Sequence, residues 1–526
     1  MSIPASARGS LAVADGPAPA TRYTFIFLVI AMGVLSYSTI QSMVGPVLDT
    51  LRVQYGTSQD AVTWVVTAYL LSASVFTPIA GRAGDIFGKK RMFVVALLLL
   101  AAGSLVAALA GNFGVLITGR LIQGMGGGTL PLGFGIVRDV FPSHKVAAMV
   151  GSLASLTAVG GGLGSVLAGP IVSGLGTAWL FWLPMMVTAA AAAGSYYFIP
   201  ASPAVDRHPA GARLALVRPA LLLSAWLTAL LLAVSEAPQW GWLSAKTLGL
   251  LAVACVLFGA WIGAERRSAH PLIDITLMSR RPVLILNLVA LLVGFGIYAY
   301  GAFIPEYLQS RPAQYGFGFG LTIMASGLIL IPSAVTNFVV GSYYGRLAAR
   351  FGAKQLMVAG CLCSAVSIFM VVVLHHHLWQ FSIAAALLGV GFGLSFAAMS
   401  GLIVEVVKRT ETGVAAGMNA NIRTIGGAVG AAVVSTVIAN TVRASGLPTD
   451  AGYLTGFAVI GVGMLAAAAA AALFRPEHRP VRAEPGPLIT DPATLRTEPE
   501  TPIADPGTLR PDPGMAPVTE LAHLPD

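Results

Sequence analysis

Most of the residues in this chain that could do chemistry are isolated polar groups within long apolar tracts. Arg120 and Gln123 lie in the segment GRLIQGMGGG at 119–128, and Arg423 lies in GMNANIRTIGGAVG at 417–430. An arginine inside an apolar span costs roughly 2.5–3.5 kcal/mol on insertion scales, so it normally faces a polar cavity or a partner. These side chains therefore indicate a hydrophilic passage through an apolar protein.

Each of these arginines has a second interpretation. Arg120 could form a structural ion pair instead of facing the passage. Asn419, Asn421 and Arg423 could line the passage or form hydrogen-bonded struts between helices, and the sequence favours neither. The other polar candidates for the passage lie in two further apolar tracts: Tyr37, Gln41 and Asn337.

The composition places these residues in a membrane protein. Charged residues make up 10% of the 526 residues and hydrophobic residues 56%, whereas a soluble domain carries about 25% charge. The mean hydropathy is +0.79. A spanning helix needs about 20 apolar residues. We predict an all-α, polytopic membrane protein with fourteen spans, at about 22–48, 61–80, 92–111, 114–137, 146–172, 178–198, 214–235, 247–264, 282–308, 318–342, 355–374, 378–404, 412–441 and 453–474.

The placement of the basic residues predicts the orientation. With the N-terminus inside, 18 Lys and Arg lie in the inner loops or, for Arg218, at the inner end of a span, and the outer loops hold four, namely Arg52, Lys246, Arg311 and Arg443. This asymmetry follows the positive-inside rule. Both termini are therefore predicted to be cytoplasmic in a cell membrane. The net charge of +9 reflects topology, and we expect no nucleic-acid partner.

A repeat indicates a duplicated bundle. Residues 81–91 read GRAGDIFGKKR and residues 345–355 read GRLAARFGAKQ, each a basic turn between two apolar runs. Duplicated bundles are common in transporters. We predict a disordered N-terminus (1–21), a six-helix bundle (22–198), a linker with two extra spans (199–281), a second six-helix bundle (282–474) and a Pro-rich disordered tail (475–526).

These motifs carry a resemblance to a known family. With Trp64, Tyr69 and Pro78 before the first turn and GRLIQGMGGG in the fourth span, the chain resembles the major facilitator superfamily, specifically its fourteen-helix drug:proton antiporters. The resemblance covers nearly all of 22–474. It implies two six-helix bundles around a central cavity, plus two extra central helices, and transport by alternating access of the bundles.

The resemblance also implies a conformational role for the first basic turn. In that family the turn's aspartate engages neighbouring helices and holds the cytoplasmic side shut in one state, and a simple topogenic loop is the alternative. Only the first copy has the carboxylate, since Ala349 stands at the equivalent of Asp85. The residues implied as a conformational switch are Gly81, Arg82, Gly84, Asp85, Gly88, Lys89 and Lys90.

Proton transfer is the role that the resemblance implies for Arg120 and Gln123. The first span departs from the family, because Tyr37 stands where related antiporters carry an aspartate, and a tyrosine with a pKa near 10 cannot easily do the same titration. Glu306 is our first candidate for a replacement acid, with simple solvation an equal alternative. Tyr298 is one of several aromatic residues that could face the substrate or pack elsewhere.

The fifth span resembles the antiporter signature only in part. Gly160, Gly164 and Gly169 permit close helix packing and rocking of the bundles, but Ser165 and Ala168 replace a proline and a glycine of that signature. This degradation weakens the prediction of export.

We therefore predict a secondary exporter of lipophilic or amphipathic small molecules, driven by proton antiport. Its polar but mostly uncharged cavity favours a neutral or weakly cationic substrate. The alternatives are an uncoupled or differently coupled carrier, including an importer or lipid transporter, and a membrane sensor or scaffold that uses its Pro-rich tail. No phosphate-loop motif or catalytic arrangement occurs in the sequence. We expect a monomer without enzymatic activity, cofactor or metal, whose partners are a small-molecule substrate, protons and the lipid bilayer.

Overall fold

The computed structural model describes residues 20–200, 217–268, 271, 273–408, 411–441 and 448–475. Their regular structure is helical, and they all belong to one compact unit. The predicted disordered N-terminus (except its last two residues) and the predicted Pro-rich tail (except Arg475) lie outside these residues, as does most of the linker 199–213.

Fifteen long helices organise this part of the chain. They are α1 (Ala20–Met43), α2 (Gln59–Phe87), α3 (Lys89–Ala108), α4 (Phe113–Gly124), α5 (Thr129–Val140), α6 (Ser143–Leu175), α7 (Trp179–Phe198), α8 (Val217–Trp240), α9 (Ala245–Arg267), α10 (Arg281–Gln309), α11 (Ile323–Phe351), α12 (Ala353–Val373), α13 (Leu378–Val406), α14 (Thr412–Ala439) and α15 (Asp450–Ala472).

Polar caps set several helix starts within this apolar sequence. The Ser58 side chain accepts a hydrogen bond from the Ala61 amide at the start of α2, and Asn112 accepts one from Val115 at the start of α4. Thr449 caps α15 in the same way, through the Gly452 amide. Each cap satisfies an amide that has no partner within its own helix.

Twelve helices in the described ranges are long and apolar enough to cross a membrane. The other two predicted spans are present as helices but are not among the twelve. The predicted span 114–137 is divided into α4 and α5 by a 3-10 turn over Met125–Gly128. Its three consecutive glycines have low helix propensity, and Gly126 and Gly127 allow close contact with the Ala96 and Ala73 carbonyl oxygens. The predicted span 178–198 is the 20-residue α7, which contains Pro184.

The two basic turns are shorter than the sequence pattern indicates. Helix α2 continues through the motif to Phe87 and α11 continues to Phe351, so each turn reduces to one glycine. Gly88 has φ 96° and Gly352 has φ 83°, a backbone region that favours glycine. A single residue of this kind reverses the chain, and the polar residues before it remain on the helix.

Contacts place both turns at one end of the helical unit, which we call the basic-turn end. Gly345 packs against Ala148 near the start of α6, where an added Cβ would lie 2.6 Å from the Ala148 Cβ. Arg138, at the end of α5, contacts Val407 after α13. Asp85, near the first turn, contacts Gly413 at the start of α14. The segments that flank the two turns therefore meet.

The apolar core is distributed unevenly between the two ends. We call residues 20–200 the first half and residues 273–475 the second half. One large buried cluster joins both halves and includes Leu132, Val137, Met399 and Ala415. Toward the opposite end, one cluster lies wholly in the first half and another wholly in the second. The shared core thus joins the halves at the basic-turn end.

The two extra helices pack at the junction between the halves. Helix α8 contacts α2 and α14, and α9 packs mainly on α8. The Trp226 ring lies 5.0 Å from Phe258 and 5.9 Å from Trp261, in a cluster that also includes Val75 and Val414. The pair is therefore attached to both halves.

Candidate functional site

Arg120 lies in the second turn of α4 and is completely buried, with an exposed fraction of 0%. Its Nε donates to the Val65 carbonyl at 2.8 Å, and its Nη1 donates to Gln123 Oε1 at 2.7 Å. Gln123 Nε2 donates in turn to Ser104 Oγ at 2.7 Å. Arg120 and Gln123 thus form one network that connects α2, α3 and α4, as three-residue spacing on a helix allows.

Two aromatic rings follow one another from Arg120 toward α1. The guanidinium carbon is 4.4 Å from the centroid of the Tyr69 ring, and the Tyr69 ring is 6.4 Å from that of Tyr37 on α1. A guanidinium over an aromatic face gains about 0.5–2 kcal/mol. The charge of Arg120 is therefore held by a carbonyl, an amide and an aromatic face.

Arg423 occupies a comparable position in the second half. Its guanidinium carbon lies 4.2 Å from the centroid of the Phe396 ring. The Tyr298 hydroxyl group is within hydrogen-bonding reach of the guanidinium, and Tyr37 is close enough to influence its charge. Gln41 Nε2 contacts Tyr298 Oη at 3.4 Å, which links α1 to α10. Unlike Arg120, Arg423 is only partly buried. The predicted residues Tyr37, Gln41 and Arg423 are therefore brought together where the halves meet.

Neither arginine has an acidic partner among the side chains that the structure describes. The ion pairs there are Lys89–Asp139 at 2.9 Å and His375–Asp450 at 3.7 Å. The alternative interpretation of Arg120, a structural ion pair, finds no partner in this part of the chain. The central region therefore carries two positive charges among aromatic rings and amides.

The three predicted asparagines lie at buried helix contacts. Asn419 Nδ2 donates to the Leu286 carbonyl at 3.2 Å and to Asn287 Oδ1 at 3.0 Å, which makes it a strut between α14 and α10. Asn337 is buried where α11 packs against Gly393 of α13. Asn421 is also buried, and its amide atoms have no hydrogen-bond partner among the described residues.

Asp85 contacts the other half of the protein. It is buried in the last turn of α2, and its carboxylate accepts hydrogen bonds from the Gly413 amide at 3.3 Å and the Val414 amide at 3.1 Å. These are among the unpaired amides at the start of α14, where the helix dipole favours a negative charge. Gly81, one turn earlier, permits this approach, because a Cβ on Gly81 would lie 2.3 Å from the Gly413 carbonyl oxygen.

Arg138 makes the complementary contact at the end of α13. Its Nη2 donates to the Val407 carbonyl at 2.8 Å, and its Nη1 donates to the Lys408 carbonyl at 3.3 Å and to Thr412 Oγ1. A cation is favourable at a helix C-terminus. Two charges of the first half therefore bind two oppositely polarised helix ends of the second half.

The remaining residues of the motif support this arrangement from within the first half. Lys89 is buried, and its Nζ bonds both oxygens of Asp139, which follows Arg138 in α5. Gly84 packs against Leu132. Arg82 is half-buried on the last turns of α2, and Lys90 lies 5.6 Å from the centroid of the Tyr196 ring. The Lys89–Asp139 pair thus connects the basic turn to the helix that carries Arg138.

The glycines of the fifth span differ in their surroundings. Gly160 and Gly164 lie against α1, where an added Cβ would be 2.8 Å from the Leu35 carbonyl and 2.6 Å from the Thr39 carbonyl respectively. Gly169 has open space at its Cα, with nothing within 4 Å of an added Cβ. The close approach of α6 to α1 therefore involves the first two glycines.

Glu306 lies at the opposite end from the basic turns. It is exposed, and its Oε1 accepts a hydrogen bond from Tyr453 Oη at 2.8 Å. Next to it, Tyr307 donates to Asp450 at 2.9 Å, and Asp450 also contacts His375. The structure places Glu306 in this acidic and aromatic group and does not bring it to Arg120.

Several residues at these contacts were not among the candidates from sequence. Arg138 and Phe396 belong to no motif, and Tyr69 supported the family resemblance without a predicted role. The partners of all three lie far along the chain. Arg138 did carry one signal, since Arg-Asp directly follows a predicted span.

Comparison with known proteins agrees with this architecture of a multi-pass helical membrane protein. The sequence profile described as Major Facilitator Superfamily matches residues 30–344 and 286–515. The chain therefore belongs to the major facilitator superfamily.

Several relatives in this superfamily have names that refer to drug or antibiotic resistance. The chain is 28% identical over 403 residues to the "Multidrug resistance protein B homolog" of Mycobacterium tuberculosis, covering 74% of this chain and 71% of the relative. It is 26% identical over 418 residues to the "Tetracenomycin C resistance and export protein" of Streptomyces glaucescens, covering 79% and 76%.

A solved structure supports the fold. The crystal structure of the human organic anion transporter MFSD10 aligns with a TM-score of 0.62 and 17% sequence identity, covering 86% of this chain and all of the other. At this identity the similarity concerns the fold alone.

Proposed function

We propose that the protein is a secondary active exporter of lipophilic or amphipathic small molecules that works by alternating access. The observation that carries the proposal is the pair of contacts from Asp85 and Arg138 to the ends of α14 and α13, which closes the basic-turn end. The contacts are electrostatic and few, so they can break and reform as the halves move. Relatives named for drug resistance and for export of an antibiotic support this direction of transport.

Fourteen crossings and cytoplasmic termini complete this proposal. Twelve of these crossings are the long apolar helices described above. Helices α4 and α5, with the 3-10 turn between them, form the thirteenth crossing, and α7 forms the fourteenth. The excess of Lys and Arg in alternate loops orients the basic-turn end toward the cytoplasm of a cell membrane. The protein acts as a monomer in this proposal.

Proton antiport is the proposed source of energy, with Arg120, Gln123 and Glu306 as the residues that couple proton movement to transport. Arg120 and Gln123 sit in a buried network that joins three helices, and any change at α4 would pass to α2 through the Val65 carbonyl. Glu306 lies at the mouth opposite the basic turns, where it can exchange protons with the outside.

A carrier without proton coupling is the second candidate. Tyr37 places a phenol beside Arg423 where related antiporters carry an aspartate. No carboxylate among the described side chains reaches the central arginines, which favours transport that follows the substrate gradient or the membrane potential.

The test is transport of a compound panel by the full chain in proteoliposomes, with and without an imposed pH gradient. Proton antiport requires accumulation that follows the pH gradient and collapses with a protonophore. Transport that ignores the gradient would support the second candidate, and absence of transport of every compound under both conditions would contradict both.

A further inference from the structure

The two central arginines define a positive region between the halves. Arg120 belongs to the first half and Arg423 to the second, and each guanidinium lies over an aromatic ring, 4.4 Å from Tyr69 and 4.2 Å from Phe396. In the described part of the chain neither has an acidic partner. The uncharged groups beside Arg423 are Tyr37, Tyr298 and Gln41.

This arrangement leaves charge and hydrogen-bonding capacity unused. Arg120 Nη2 is buried and has no hydrogen-bond partner in the part of the chain that the structure describes. Buried charges are costly unless they are paired, and an aromatic face attracts a cation without neutralising it. An anion between the halves would offset the positive potential of both arginines.

We propose that the region around Arg423, where the two halves meet, binds organic anions that carry an aromatic ring, such as aromatic carboxylates, sulfonates or phenolates. Arg423, which is only partly buried, receives the anionic group, because a guanidinium matches a carboxylate with two parallel hydrogen bonds. The half-buried rings of Tyr37 and Tyr298 pack against the aromatic part of the ligand, while Phe396 supports the guanidinium from the other side. Arg120 adds positive potential from behind Tyr69 without touching the ligand.

The inference rests on the proposed transport function and revises the substrate class that the sequence favours. The polar residues of the apolar tracts indicated a neutral or weakly cationic substrate. The structure adds Arg423 beside Tyr37 and Gln41, which makes this region cationic. A site with two fixed positive charges repels a cationic drug, because like charges in a low-dielectric region interact strongly.

The experiment compares two dyes with the same xanthene ring system and opposite charge. Fluorescein is an anion and rhodamine 123 a cation at pH 7.4. Binding of each dye to the purified full chain is measured by fluorescence anisotropy, at 0.15 M salt. We expect fluorescein to bind at least about tenfold more tightly than rhodamine 123, because the Arg423 guanidinium attracts the anionic dye and repels the cationic one. Equal affinity, or tighter binding of rhodamine 123, would overturn the inference.

Three substitutions locate the effect. Arg423→Gln removes the charge and should weaken fluorescein binding by about tenfold or more, with rhodamine 123 binding unchanged or tighter. Arg423→Lys keeps the charge and should retain affinity to within about threefold of the wild-type value. Arg311→Gln is the matched control, since Arg311 is an exposed arginine beyond α10, and it should change neither dye. Fluorescein binding that is unaffected by Arg423→Gln would overturn the assignment of the site.

The same preparations separate this inference from the proposed function. Charge-selective binding that depends on Arg423, without transport in proteoliposomes, would support the anion site and contradict the exporter. Gradient-driven export of rhodamine 123 but not of fluorescein would support the exporter and overturn the anion site. The dye comparison in the unmodified protein remains decisive if a variant fails to fold, as judged by its gel-filtration profile.

Discussion

Asp85 and Arg138 show how single charges act across the two halves. Asp85 accepts hydrogen bonds from the first amides of α14, and Arg138 donates to the Val407 and Lys408 carbonyls directly after α13. A charge at the favourable end of a helix contributes about 0.3–1 kcal/mol, and up to about 2 kcal/mol when partly buried. The two contacts together are strong enough to bias the closed state and weak enough to break within a transport cycle.

Substitution of Asp85 tests the first of these contacts. Asp85→Asn keeps an acceptor oxygen but removes the charge, so the closed basic-turn end should lose about 0.7–2 kcal/mol. This corresponds to a roughly three- to thirtyfold smaller ratio of closed to open protein.

The measurement uses a cysteine introduced at Gly417, which is covered when the basic-turn end is closed. Its reaction with a membrane-impermeant maleimide reports the ratio of closed to open protein. Asp274→Asn, which changes a local helix cap only, is the control, and equal labelling of the Asp85 variant and this control would argue against the contact.

Removal of Arg120 should affect both stability and coupling. Arg120→Ala leaves the buried Gln123 side-chain oxygen without its donor, at a cost of about 1–3 kcal/mol, and removes the side-chain hydrogen bond to the Val65 carbonyl. We expect a lower thermal unfolding midpoint in detergent, membrane insertion as in the wild type, and loss of gradient-driven transport. Arg311→Ala should change none of these. Wild-type efflux by the Arg120→Ala variant would refute its role in coupling.

At the scale of helices, hydropathy located the spans because long apolar runs have few other structures available in a membrane. The predicted span 282–308 is α10 (Arg281–Gln309), and 378–404 is α13 (Leu378–Val406). The structure differs from the predicted local conformation where glycine decides it. The run Met125–Gly128 interrupts a predicted span, and Gly88 shortens the predicted turn to one residue.

The packing of α6 against α1 gives a matched pair of substitutions. Gly164→Val places a side chain within 2.6 Å of the Thr39 carbonyl, whereas Gly169→Val meets open space. Overpacking of this kind costs about 1–3 kcal/mol. Thermal unfolding in detergent should show a lower midpoint for Gly164→Val alone. A similar decrease for both variants would mean that helix propensity, and not the contact with α1, sets the effect.

At the scale of the whole molecule, the partners in the contacts that join the halves were beyond prediction from one sequence, although the family resemblance implied that Asp85 engages a neighbouring helix. Asp85 and Gly413 are 328 positions apart, and Arg138 and Val407 are 269 apart, so no local pattern pairs them. Arg120 and Arg423 were found because a charge inside an apolar run is conspicuous. Their aromatic partners were not identified from the sequence, because aromatic residues are common in apolar runs and most of them only fill space between helices.

The central claim is that the two halves close alternately at the two ends. The direct measurement uses spin labels in a variant without Cys255, Cys361 and Cys363. One pair of labels, at Lys145 and Arg350, reports the basic-turn end. A second pair, at Val53 and Arg311, reports the opposite end. All four label positions are exposed.

Double electron–electron resonance gives the distance distribution of each pair in proteoliposomes. We predict that Asp85→Asn combined with Arg138→Gln lengthens the Lys145–Arg350 distance and shortens the Val53–Arg311 distance in the same fraction of molecules. Both distances lengthening together, or neither changing, would contradict alternating closure by these helix-end contacts.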